Sequence, residues 1–144
     1  MKPIGYWLNR TDKALTDHMD RMLGGFGLTR LAWQALNVIR QTDGATDADV
    51  LSTLSAHADG ATLRAAVDSL LTDAWVSRPG PDLLDLTPEG FHRLADVEER
   101  VDAFRGLATA GITDEEYRTA VLVLERMARN LESPDAHPAG ARRA

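Results

Sequence analysis

Residues 46–90 read TDADVLSTLSAHADGATLRAAVDSLLTDAWVSRPGPDLLDLTPEG, and this stretch decides the fold. Thr46, with Asp49 three residues on, resembles a capping box in which Asp replaces the usual Glu. It opens a short helix through Val50, Leu51 and Leu54. His57 to Gly60 forms a turn, and residues 61–73 follow as a second helix with Leu63, Val67, Leu70 and Leu71 on its buried side. Two strand-like pieces come next, 75–78 and 83–86, with Pro79-Gly80-Pro81-Asp82 as the hairpin tip between them. Thr87-Pro88 then starts a helix: a capping hydroxyl precedes a proline at the first helical position, where a missing N–H costs nothing. Short helix, four-residue turn, helix and two-stranded ribbon make a winged helix-turn-helix. Turn length, apolar spacing and hairpin exit all agree on it.

Outward from this unit the chain is helical. On the N-terminal side, Ile4, Trp7, Leu15, Met19 and Leu23 fall near a 3.6-residue period and predict a helix over 4–23, ended by Gly24 and Gly25. Thr29 caps a second helix through Ala32, Leu36 and Ile39 to Gln41, and Asp43-Gly44 turns the chain. On the C-terminal side the helix opened by Pro88 carries Phe91, Leu94, Val97, Val101, Phe104 and Leu107 before Gly111 breaks it. Thr113 with Glu116 is a full capping box for a last helix bearing Tyr117, Val121, Leu124, Met127 and Leu131. The fold class expected is therefore mainly α with a two-stranded β-wing. A monomer of this order would expose the apolar stripes of its first and last two helices, so a homodimer is expected. Residues 133–144, with Pro134, Pro138 and Gly140, read as a flexible tail.

A length of 144 residues suits one domain. With no cysteine, disulfides, thiolate zinc sites and cysteine nucleophiles are excluded, and a reducing, cytoplasmic setting is expected. No apolar run approaches the roughly 20 residues a spanning helix needs. The net charge of -6 excludes a globally basic nucleic-acid binder but leaves room for a local basic patch. The charge is unevenly spread. Residues 1–41 hold six basic and three acidic side chains, 42–90 hold two and nine, and 91–144 hold eight and ten. His18, His57, His92 and His137 are too far apart for a helical metal pair, and Gly24-Gly25-Phe26-Gly27 lacks the strand and lysine of a phosphate loop. No nucleophile, base and orienter come together in the sequence, so no enzyme, cofactor or metal is expected.

The segments Leu28-Thr-Arg-Leu-Ala-Trp-Gln-Ala-Leu36, Val50 to Leu54 with Thr62 to Leu71, Ala74-Trp-Val76 and Leu86-Thr-Pro-Glu-Gly90 together resemble the MarR family of transcriptional regulators, over residues 4–132. The resemblance implies a single domain, 1–132, in which helices 4–25 and 88–132 dimerise around a winged module at 28–87. It implies a repressor on a pseudo-palindromic DNA operator, released by a small aromatic or phenolic ligand. The helix after the turn would enter the major groove, with Arg64 at a guanine edge or phosphate and Thr62 at a phosphate. Arg30, Arg40 and Arg78, with Thr29 and Thr46 as neutral donors, complete the DNA-binding candidates. Tyr6, Trp7, Arg10, His18, Trp33 and Phe91 lie on the elements that would line a ligand pocket.

Two departures stand out. Relatives commonly carry Asp-x-Arg in a longer wing, whereas this chain has Asp82-Leu83-Leu84. Residues 42–90 carry -7, so Asp47, Asp49 and Asp59 would have to face away from a duplex. Both favour an alternative: a MarR-like dimer with reduced DNA binding, acting as a protein-interaction or ligand-sequestering module.

Overall fold

The computed structural model describes residues 1–133, so the tail expected at 133–144 lies, beyond Ser133, outside the described residues. The elements are α1 (Ile4–Gly24), α2 (Arg30–Gln41), α3 (Asp47–Thr53), α4 (Gly60–Thr72), β1 (Val76–Ser77), β2 (Asp85–Leu86), α5 (Pro88–Ala108) and α6 (Asp114–Glu132). The chain divides into two compact units, one from Met1 to Phe104 and one beginning at Arg105.

Side-chain caps set most helix starts. The Thr29 hydroxyl accepts from the Ala32 N–H at 3.1 Å. Thr46 and Asp49 form the reciprocal box, at 3.2 and 2.9 Å, and Thr113 and Glu116 repeat it on α6 at 3.0 and 2.9 Å. For α4 the cap is Asp59, which accepts from the Thr62 N–H at 2.8 Å. That cap starts the helix at Gly60, one residue before the expected Ala61.

The core of the first unit is made by one face of each element. Leu23, Leu36, Val50, Leu63, Leu70, Trp75, Leu94 and Val97 are fully buried, and among the described residues no polar or charged residue is. This is the ordinary solution for short amphipathic helices, whose stability comes from packing rather than propensity.

The wing is shorter than the expected strands 75–78 and 83–86. Only Val76↔Leu86 and Ser77↔Asp85 pair. The Trp75 N–H is spent on the Leu70 carbonyl at the end of α4, and Leu83 and Leu84 pair with the chain ahead of α3 instead. Leu83 bridges Thr46, and the Leu84 N–H bonds the Ala45 carbonyl at 2.9 Å. Asp82, at φ 58°, makes the bend that turns the chain toward α3, and its carbonyl accepts from the Asp47 N–H at 3.2 Å.

Where the wing enters α5, the chain passes close to itself. The Thr87 N–H bonds the Trp75 carbonyl at 3.1 Å. The Thr87 hydroxyl donates to the Ala74 carbonyl at 2.7 Å and accepts from the Gly90 N–H at 2.8 Å. A Cβ on Gly90 would sit 2.1 Å from the Trp75 carbonyl oxygen, which no relaxation of a flexible side chain can relieve.

In the second unit, α6 buries none of its side chains. Tyr117, Val121 and Leu124 are 49%, 50% and 37% exposed, and Leu131 is 80% exposed. An apolar helix with no covered face needs a partner surface to account for its composition.

Gly90→Ala should lower stability by about 3 kcal/mol or more, from backbone displaced by a close contact. A shift in the urea midpoint against wild type checks this; an unchanged midpoint would show that the junction is slack.

Candidate nucleic-acid interface

The helix-turn-helix is α3, the turn over residues 54–59, and α4. The amphipathic spacing of α4 buries Leu63, Val67 and Leu70 and leaves Thr62, Arg64, Ala65, Asp68, Ser69 and Thr72 exposed. Arg64 has no hydrogen bond or ion pair with any described residue. Its guanidinium lies over the first turn of its own helix, with Nη1 3.3 Å from where a Cβ on Gly60 would stand. The backbone N–H of Thr62 is held by Asp59, while its side chain stays exposed.

The other arginine candidates have carboxylate partners. Arg30 pairs with Asp20 at 3.4 Å. Arg40 pairs with Glu98 and also donates to the Asn37 side-chain oxygen at 3.1 Å. Arg78 grips Asp47 with both terminal nitrogens, at 2.7 and 2.9 Å. Two parallel charge-assisted bonds fix a guanidinium far better than one. Thr29 and Thr46 serve as helix caps. Asp49 and Asp59 likewise cap helix starts, and Asp59 stays exposed at the first turn of α4.

The Arg78–Asp47 pair joins the base of the wing to the first residue of α3. Asp47 is held below the usual carboxylate range, chiefly by the Arg78 hydrogen bond and against the cost of desolvation, and Arg78 is raised in return. Asp59 and Glu116 are lowered by the N–H groups they cap. Leu84, at the position where the resembled family commonly carries arginine, is 2% exposed and belongs to the core.

The six ligand candidates fall in separate places. Tyr6, Trp7 and Arg10 cluster on the exposed start of α1. The Tyr6 and Trp7 rings meet edge to face at 5.0 Å, Arg10 lies over the Trp7 ring at 5.4 Å, and it donates to the Tyr6 hydroxyl at 3.3 Å. His18 stacks on Phe104 with ring centroids 4.6 Å apart. Trp33 is half-buried, and its indole N–H is buried without a hydrogen-bond partner. Phe91 is elsewhere again, on a cavity of about 530 Å³ beside the wing.

Sequence reasoning missed the Arg78–Asp47 pair and this cavity. The pair spans 31 positions, and its only signal is one arginine and one aspartate in a crowd of nine acids.

No protein-family model and no curated protein sequence matches the chain. Solved structures do. Transcriptional regulator PA3341 superposes with a TM-score of 0.68 at 27% identity, over 91% of this chain and 99% of that one. A MarR-family transcriptional regulator from Rhodococcus sp. RHA1 gives 0.65 at 25% identity, over 90% of each chain. The Mycobacterium tuberculosis MarR family protein Rv2887, solved in complex with DNA, gives 0.70 at 24% identity, over 88% of this chain and 98% of that one. The chain has the MarR-family winged-helix fold. Rv2887 has also been solved with p-aminosalicylic acid, with a TM-score of 0.64 at 23% identity over 88% of this chain and 99% of that one. Within the MarR fold, α4 is the helix that follows the turn, and β1 with β2 is a wing reduced to two residues per strand.

Because the folded-state pKa of Asp47 is depressed, the pair stabilises the fold above the ordinary carboxylate range and is lost as pH falls through the lowered value. Asp47→Asn should cost about 1 kcal/mol or less at neutral pH, since the pair is about one-third exposed. Urea midpoints taken from pH 7 down to pH 3 should fall less steeply for the variant; parallel curves would show the pair to be energetically idle.

Proposed function

We propose that this protein is a homodimeric, DNA-binding transcriptional regulator of the MarR type, cytoplasmic, acting as a repressor that a small aromatic ligand releases. The observation that carries the reading is Arg64, exposed and unpaired on the N-terminal half of α4, in a fold shared with a protein solved on DNA. A guanidinium there can reach a guanine edge in two bonds or a phosphate in one.

The dimer supplies the geometry. The exposed apolar side chains of α6 are one surface that a second copy would cover, and those of α1 (Ile4, Trp7, Leu8 and Leu15) are another. Two copies would set two α4 helices about 34 Å apart, one turn of B-DNA, and so read an inverted repeat. A ligand that binds one spacing of the two helices better than another shifts the population toward it and changes affinity. The complex of Rv2887 with p-aminosalicylic acid supports a small aromatic ligand, and the Tyr6, Trp7 and Arg10 cluster has the aromatic wall and the cation to meet an anionic one.

A second reading has its own support. Three of the four candidate arginines are already neutralised by Asp20, Glu98 and Asp47, and phosphate neutralisation supplies most non-specific affinity. On this reading the dimer binds protein or sequesters ligand with little direct DNA contact.

Selection against a random duplex pool at low salt, followed by salt titration, separates the two. The first reading expects an enriched inverted repeat, with binding lost roughly tenfold or more in Arg64→Ala at unchanged thermal stability. No enrichment from a folded dimer would establish the second. Sedimentation should give the dimer mass for wild type and the monomer mass for Val121→Asp with Leu124→Asp; an unshifted mass would remove α6 from the interface.

A further inference from the structure

The cavity beside the wing is separate from the aromatic cluster on α1, and of the DNA-binding candidates it includes Arg40. It lies where the end of α2, the α2–α3 turn, the second half of the wing and the start of α5 meet, all within the first unit. Its volume of about 530 Å³ is that of a small-molecule site.

Its walls have a definite chemistry. Leu83, Leu86, Pro79 and Pro88 give an apolar lining, and Phe91 stands at the edge with 60% of its surface exposed. An aromatic ring so exposed, next to other apolar groups around a concavity, is a surface that a ligand would cover. The lining cation, Arg40, is already neutralised by Glu98. The two lining acids, Asp43 and Asp85, are exposed, and neither side chain pairs with a cation among the described residues. The cavity therefore offers apolar side chains, an exposed aromatic ring and two solvated carboxylates. Thr42 and Gly44 add only neutral polar groups.

We propose that this cavity binds an aromatic cation: a flat, lipophilic molecule bearing a fixed positive charge. Its ring would lie against Phe91 and the wing leucines, where a cation over an aromatic face is attracted by the ring quadrupole. Its charge would be met by Asp43 and Asp85. An anionic aromatic acid would meet the same two carboxylates unfavourably, so this site and the α1 cluster select opposite charges. The occupied site would tie the wing to the α2–α3 turn and the start of α5, the segments that position α3 and α4.

Fluorescence titration of the full-length protein, free of DNA, with berberine tests this, with salicylate as the anionic control. Berberine should bind saturably, about tenfold more weakly to Asp43→Asn with Asp85→Asn and about threefold more weakly to Phe91→Ser, while salicylate should not compete. These three side chains are exposed, so thermal melts of the variants should match wild type. The proposal is overturned by no binding, by binding indifferent to all three substitutions, by competition from salicylate, or by binding lost in Trp7→Ser instead, which would place the cation on α1.

Discussion

The carbonyl oxygen of Trp75 is the point on which the arrangement of the first unit depends. It accepts from the Thr87 N–H, and Gly90 passes so close to it that no other residue fits. The indole of Trp75 fills the centre of the core, with the Arg93 guanidinium 3.8 Å above the ring. Ala74, just before it, takes a positive φ of 62° to turn the chain out of α4. The end of α4, both strands of the wing and the first turn of α5 are therefore fixed by one residue and the groups bonded to it. A displacement there would move α4 and the wing together, because their backbones share hydrogen-bond partners.

Charge is used economically around this frame. Asp49 and Asp59 close helix ends, Asp47 holds Arg78, and Glu98 holds Arg40. Three of the nine acids in 42–90, Asp47, Asp49 and Asp59, thus serve the helix-turn-helix itself. Asp43 and Asp85, both exposed, are the carboxylate residues that line the cavity. Arg64 remains as the unpaired cation on α4. On the proposed reading, a recognition surface with one such group has little sequence-independent affinity, and what it binds comes from fit.

Local signals were the readable ones. The boxes at Thr46 and Thr113 and the Thr87-Pro88 helix start depend on residues three apart or adjacent, and each forms as its spacing implies. The apolar period likewise named Leu63, Val67 and Leu70 as the inner face of α4. What could not be read depends on the path of the chain. Leu83 and Leu84 look like the return strand of a hairpin, yet they pair with residues 45 and 46, because the Asp82 bend directs them there. Arg78 looks available until Asp47 is placed beside it. Phe91 fits the apolar stripe of α5 by spacing but sits at the wing, outside the reach of the core, while Leu94, Val97 and Val101 on the same helix fill it. Of the six aromatic and basic candidates for a ligand site, Tyr6, Trp7 and Arg10 come together on α1 while His18, Trp33 and Phe91 lie elsewhere, and periodicity carries no information about that.

The bare α6 has a consequence for how much of the protein must be made. On the proposed dimer, folding of that helix and pairing of two chains are one event, so the free energy holding it depends on protomer concentration. A regulator built this way is self-limiting in the cell. At low copy number the unpaired chain offers proteases a helix with no covered face, and dilution removes it before it can compete for partners. Abundance, rather than any feature of the winged module, then sets the threshold below which the protein has no active form.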